Sequence, residues 1–296
     1  MTVLMSDWFG LAIASAIVFG LAGLMMKASH AQQGSTPHLL FGLYCMGTLL
    51  FTAHSAIAGH VSWSSMSWLL LLGGILVGSG SAWGNDLFMR ALNAGPASLT
   101  SPITNMNIIF VILFSTWWYQ EPLRVWQWIS IGILVLSVFL LSYKPNRSVL
   151  EQTHLPAKWF LLVFAAMLLF ALRNGGLKVT QSWDLHNDTV LAIAYGWSLA
   201  WFSPPVIRLW KKRERNSGNS IGLLWGFASG ICSYGGMQLY AYALERGQAN
   251  VVSPIFATNS MIIAIGSMIW FGERLRGLQW VALLFIFAGL ILIRWN

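Results

Sequence analysis

Charge is what this chain has least of. Only 9% of its 296 residues are Asp, Glu, Lys or Arg, against about 25% in an ordinary soluble protein. So little charge cannot coat a soluble globule, and the 56% apolar content excludes the disordered classes as well. Cysteine is almost missing: Cys45 and Cys232 both lie in apolar runs, which leaves no disulfide framework. His54 and His60 have no carboxylate or cysteine at ligand spacing, so no metal site is expected. The longest polar connection is about a dozen residues, so no appended soluble domain is expected either. The glycine-rich stretch 73–80 lacks the Gly-Lys-Ser/Thr ending of a phosphate loop. No catalytic triad or carboxylate pair is visible. These absences predict no enzyme activity, no cofactor and no metal. The net charge of +8 is read as loops facing an anionic membrane surface rather than as a nucleic-acid partner.

What the chain does have is long apolar runs. A bilayer core about 30 Å thick is crossed by roughly 20 apolar helical residues. Ten stretches meet that length, approximately 8–27, 38–58, 66–90, 97–118, 125–143, 157–177, 188–210, 220–244, 249–270 and 278–295. The first does not read as a signal peptide, because Asp7 precedes it in place of a basic region and its apolar run is too long. The expectation is an all-α integral membrane protein with ten transmembrane helices.

The halves repeat. At a shift of 152, residues 91–128 lie over 243–280 without a gap, matching Gly95 to Gly247, Pro102 to Pro254, Asn107 to Asn259, Glu121 to Glu273 and Trp128 to Trp280. At a shift of 151, Trp8-Phe9, Phe19 and Lys27 match Trp159-Phe160, Phe170 and Lys178. Proline, glycine, glutamate and tryptophan are not membrane filler, so a duplication is expected, with repeats at 1–148 and 149–296. Five spans per repeat is an odd number. The second copy therefore enters the membrane from the opposite side, which is the inverted-repeat architecture of many secondary transporters, with a solute site near the midplane.

The paired segments Ala91-Leu92-Asn93-Ala94-Gly95-Pro96-Ala97 through Ser101-Pro102 and Ala243-Leu244-Glu245-Arg246-Gly247-Gln248-Ala249 through Ser253-Pro254 resemble the drug/metabolite transporter superfamily in its ten-span form with two EamA-type domains. So do the later Glu121-Pro122-Leu123 and Glu273-Arg274-Leu275. The resemblance implies a ten-helix bundle with a central cavity lined mainly by spans 1, 3, 4, 6, 8 and 9. It also implies alternating access, often coupled to protons or to exchange. The small multidrug resistance branch uses a Glu in span 1, whereas residues 8–27 here contain no acid.

The repeated motifs have physical readings of their own. Gly95 and Gly247 suit left-handed helix C-caps, and Pro102 and Pro254 suit kinks one or two turns into the next helix. Glu121 and Glu273 fall at span ends near Arg124 and Arg276, where pairing or helix capping is expected. The tryptophans near span ends, Trp8, Trp63, Trp68, Trp126, Trp128, Trp159 and Trp295, read as an interfacial belt.

Ten polar or aromatic residues inside spans are the candidate substrate-binding set. Arg173 and Asn174 stand in span 6 beside Gly175-Gly176, where Arg173 either anchors an anionic group or snorkels to the headgroups. Asp86 lies four residues before Arg90 and is either a proton carrier or half of an interfacial ion pair. Asn107 and Asn259 fall near mid-span with Asn105 close by, and read as pocket lining or as helix–helix hydrogen bonding. Trp83, Asn85, Tyr234 and Gln238 add aromatic and amide groups to spans 3 and 8.

Twelve Lys and Arg fall in the odd-numbered connections and four in the even connections and tails. The positive-inside rule puts the odd connections in the cytoplasm and both termini outside, whereas the resemblance implies cytoplasmic termini. The functional expectation is a secondary active transporter of a small organic metabolite or drug-like solute, in a bacterial-type inner membrane. Its partners are that solute, protons or a counter-solute, and the lipid bilayer, with the chain as a monomer or weak homodimer. The alternatives are a non-transporting membrane subunit and a membrane-embedded enzyme.

Overall fold

The computed structural model describes residues 8–60, 67–94, 100, 103–142, 157–211, 217–272 and 277–293. Among these, helix is the only regular structure. The expected glycine cap at Gly95, the kink at Pro102 and the partner at Glu273 lie outside the described residues. The first repeat contains α1 (Trp8–Ala31), α2 (Thr36–Ile57), α3 (Trp68–Ala94), α4 (Asn107–Trp118) and α5 (Val125–Ser142). The second contains α6 (Ala157–Ser182), α7 (Asn187–Lys211), α8 (Ser217–Arg246), α9 (Ala249–Ala257), α10 (Asn259–Phe271) and α11 (Gly277–Leu292). Helices α9 and α10 together make the ninth span.

The repeats pack through a pseudo-two-fold arrangement. Helix α1 packs on α8 as α6 packs on α3, and α2 packs on α8 as α7 packs on α3. The self-related pairs α2 with α7, α4 with α9 and α5 with α11 cross the axis. Every one of these pairs joins the two halves. Apolar side chains such as Leu113, Trp117, Leu161, Leu224, Leu284 and Phe287 point outward, which suits a lipid-facing surface and would be an aggregation liability in water. Trp68, Trp126 and Trp128 are exposed near helix ends, as a belt requires. Trp159 departs from that expectation. It is buried, and its Nε1 donates to Thr100 Oγ1 at 3.0 Å.

Glycine permits the close crossings. A Cβ at Gly226 would lie 2.4 Å from the Leu39 carbonyl oxygen, and one at Gly78 or Gly230 would meet the repeat-related carbonyls of Ala194 or Leu43 at 2.6 or 2.7 Å. Small residues thus let helix backbones touch where lipid offers no competing hydrophobic drive. Gly226→Val is expected to force α2 from α8 and lower stability by about 1–3 kcal/mol, read as an earlier melt of the detergent-purified protein.

Helix ends repeat as well, though not where glycine alone suggests. Left-handed residues follow α1 at Gln33 (φ 58°) and α6 at Asp184 (φ 57°), and the matched pair Gln120 (φ 49°) and Gly272 (φ 63°) follows α4 and α10. Gly247 is not left-handed. Its N–H still bonds the Ala243 carbonyl at 2.9 Å, and its missing Cβ makes room for Val252 and Trp8. The break in spans 4 and 9 comes one turn after each proline, at the matched residues Met106 and Thr258. Their N–H groups turn back to Ile103 and Ile255, both at 3.1 Å. Side chains help to open this ladder: Asn107 and Asn259 each donate to the carbonyl three residues earlier, at 2.8 and 2.9 Å.

Candidate functional site

The inverted repeat brings matched aromatic residues to the centre, and Arg173 lies between them. The guanidinium sits 5.1 Å from the Phe170 ring centroid and 5.7 Å from that of Phe19. These phenylalanines are repeat mates, each seated against a repeat-mate glycine: Phe170 on Gly84 and Phe19 on Gly236. The arginine is therefore close to the pseudo-two-fold axis. Tyr44 and Tyr195 are also mates. Their rings meet edge-on at 5.5 Å, and their hydroxyls bond the matched Ser81 and Ser233 at 2.8 and 2.6 Å. Tyr44, Tyr195 and Tyr240 all lie within electrostatic reach of Arg173.

An amide chain carries the arginine's direction into span 4. Arg173 Nε donates to Asn174 Oδ1 at 3.1 Å, and Asn174 Nδ2 donates to Asn107 Oδ1 at 2.9 Å. Tyr240 bonds Ser253 at 2.8 Å and reaches the Asn174 carbonyl at 3.4 Å. Asn85 donates to the Tyr44 hydroxyl at 2.6 Å. Among the described residues, no carboxylate pairs with Arg173 and its Nη atoms have no acceptor. The site is a cation fixed by aromatic faces and an amide, with its fork of donors unspent.

Arg173, Asn174, Asn107 and, through Tyr44, Asn85 thus come together. Asn259 occupies the matched place beside α1, with its carbonyl oxygen over Gly20. Asn105 lines a small apolar cavity with Leu134, Val138, Pro254 and Ala257. Tyr234 belongs to another cluster, in which His54 Nδ1 bonds the Tyr234 hydroxyl at 2.6 Å and the Tyr242 hydroxyl lies 3.2 Å from His54 Nε2. Gln238 falls between those tyrosines on the same helical face, buried and with no partner for Oε1 among the described residues. Asp86 pairs with Arg90 at 2.7 Å. Gly73, Gly80 and Gly84 abut α6, and Gly74 and Gly78 abut α7. At 100° per residue, Asp86 and Arg90 fall off both packing faces. Trp83 stands edge-on to Trp201, 5.8 Å between centroids, and is more than a third exposed.

A second polar network lies on the face that carries the even-numbered connections. Glu121, at the end of span 4, lies 3.5 Å from Lys178 of α6 and accepts from the Asn250 backbone N–H at 3.2 Å. Lys178 also donates to the Leu244 carbonyl at 3.2 Å, and Asn250 Nδ2 donates to Thr116 at 3.0 Å. Glu121 thus bridges the halves rather than acting only within its own loop. On the same face the fold brings His60 to Asp188, 128 residues away, with His186 stacked on it. No local spacing around His60 signals those partners.

Comparison with known proteins accounts for the repeat. The EamA-like transporter family matches residues 7–143 and again 157–295. The chain belongs to the EamA-like transporter family. It is a multi-pass membrane transporter of the drug/metabolite superfamily. A solved crystal structure superposes with a TM-score of 0.75 over 96% of this chain and 95% of that one, at 13% identity, which establishes likeness of fold. Among curated proteins, the probable 4-amino-4-deoxy-L-arabinose-phosphoundecaprenol flippase subunit ArnE of Serratia proteamaculans is 28% identical over 81 residues. That stretch is 27% of this chain and 66% of the relative. The Aeromonas hydrophila protein of the same description is 26% identical over 84 residues, 28% of this chain and 74% of the relative. The match thus spans slightly less than two thirds of the first relative's length.

Sequence reasoning singled out the arginine and its amides but not Tyr44, Tyr195, Ser81, Ser233 or Tyr240. The signal lay in the repeat: Tyr44 and Tyr195 match at a shift of 151, and Ser81 and Ser233 at 152.

Proposed function

We propose that this EamA-family protein is a secondary active transporter whose solute carries an acidic group bound by Arg173. The observation that carries the reading is the guanidinium between Phe19 and Phe170, close to the two-fold axis, which no carboxylate among the described residues compensates. A charge at membrane depth costs about 2.5–3.5 kcal/mol on the insertion scale. Two ring faces return roughly 0.5–2 kcal/mol each, and the remaining donors ask for an anion. A bidentate carboxylate or phosphate fits that fork, and the surrounding tyrosines and phenylalanines suit a flat or apolar body. Asn174, Asn107 and Asn85 supply amides that select its remaining polar groups. Solute counterflow in liposomes tests this, with a panel of acids beside their neutral amides. Acids moving and amides not moving supports the reading, and movement of neither class contradicts it.

Alternating access is the second half of the proposal. An inverted repeat has two mirror-like states, and the Glu121–Lys178–Asn250 network acts as the lock of one of them. Basic residues crowd the odd connections, which supports a cytoplasmic odd face and a lock on the opposite side. Protease access to tags at both termini checks the orientation. Coupling to protons is assigned to the Asp86–Arg90 pair, and Asp86→Asn is expected to flatten the pH dependence of transport.

A second reading follows the curated relatives, which are described as subunits of a flippase for a phosphate-linked lipid. An anionic phosphate suits the same arginine. A scrambling assay with a phosphoprenol analogue separates a lipid cargo from a water-soluble one. It also addresses the third reading, a subunit that moves nothing alone.

A further inference from the structure

The end of α2 and the start of α7 meet on the even face, and three residues with metal-ligating atoms converge there. His60, His186 and Asp188 offer ligand atoms that all lie within 4.8 Å of one another. His60 comes from the first repeat and the other two from the second. Asp188 is buried, and its Oδ1 accepts from the Thr189 N–H at 2.8 Å, so the carboxylate is fixed in place. Its Oδ2 stands 2.8 Å from His60 Nδ1. The imidazoles of His60 and His186 stack at 3.8 Å with planes 1° apart.

We propose that His60, His186 and Asp188 bind a divalent transition-metal ion of the zinc type, the ion replacing the proton held between His60 and Asp188. Two imidazoles and a carboxylate suit zinc, copper or nickel, whereas magnesium and calcium prefer oxygen cages. Ligand atoms around a tetrahedral ion of this kind stand about 3.3–3.4 Å apart, so the His60–Asp188 pair must open from 2.8 Å and any wider pair must close. His186 is exposed and turns out of the stack to do so. Three protein ligands leave a position for water. The bound ion ties the two halves on the face already joined through Glu121 and Lys178, and so favours the form closed there. The proposal does not depend on what solute Arg173 binds.

The test is cobalt titration of the tag-free, full-length protein in detergent, followed by displacement with zinc. Wild type is expected to bind one cobalt per chain with visible d–d bands, and saturating zinc to raise its melting temperature. His186→Ala, a change at an exposed side chain, is expected to leave the ion-free melt unchanged, to weaken cobalt binding tenfold or more and to remove the zinc shift. Asp188→Asn is expected to weaken binding likewise. Absence of cobalt bands in the wild type, or equal affinity in wild type and His186→Ala, overturns the site.

Discussion

Arg173→Gln is expected to abolish transport of an acidic solute while leaving the protein folded. Glutamine keeps a donor toward Asn174 but removes the charge and the planar fork. Truncating one partner of a buried charge pair costs about 2–5 kcal/mol, which is a binding loss of roughly 30-fold to several thousand-fold. Folding should survive, because the unliganded arginine has no carboxylate partner among the described residues to lose. The melt is therefore expected to hold or rise, since an uncompensated charge has left the interior. Arg173→Lys is the sharper variant. Lysine retains the charge but neither stacks between Phe19 and Phe170 nor offers two parallel donors, so it should recover only part of the affinity. Solute counterflow with each variant, beside a thermal melt, reads both effects. A Gln variant that transports acids at the wild-type rate removes Arg173 from the site.

Glu121→Gln is expected to open the even face. The carboxylate now holds Lys178 at 3.5 Å and the Asn250 N–H at 3.2 Å, with side-chain exposures of only 20% for Lys178 and 10% for Glu121. A pair neither sealed nor fully wet is worth about 1–3 kcal/mol to the closed form. Losing it shifts the balance of states by roughly 5- to 150-fold. Ser253 lies one turn inward of Asn250 and is buried against Tyr240. Ser253→Cys, with Cys45 and Cys232 replaced by serine, reports the opening through a membrane-impermeant maleimide. Labelling should be slow with Glu121 present and several-fold faster or more in Glu121→Gln. Lys178→Met should act in the same direction. Unchanged labelling in both variants means that the network is only a structural tie.

These expectations depend on features that differ in how far the amino-acid sequence discloses them. The duplication was legible because helix-breaking and polar residues recur at one shift, and it led to five spans per repeat and the inverted packing. Arg173 was legible for a related reason: a lone charge in an apolar helix stands out. Its setting was not. Tyr44 and Tyr195 match across the repeat, but a tyrosine in an apolar run looks like any packing aromatic until the fold turns it toward the cation. The Glu121–Lys178–Asn250 contacts and the approach of His60 to Asp188 join residues from opposite halves, and nothing local marks them. Backbone turns were hidden in another way. Gln33, Asp184 and Gln120 take the left-handed conformation that glycine would advertise, while Gly247, just past the end of α8, does not and serves a close approach. Where tertiary packing sets the conformation, residue type alone points to the wrong glycine.

The most direct test of the central claim is equilibrium binding to the purified protein. A panel of organic acids, phosphates and matched neutral amides is titrated against wild type and Arg173→Gln, with ligand-induced melting shifts as the readout. At least one acid is expected to raise the wild-type melt while its amide does not, and the shift is expected to vanish in Arg173→Gln. A neutral solute that stabilises wild type and Arg173→Gln equally would contradict it.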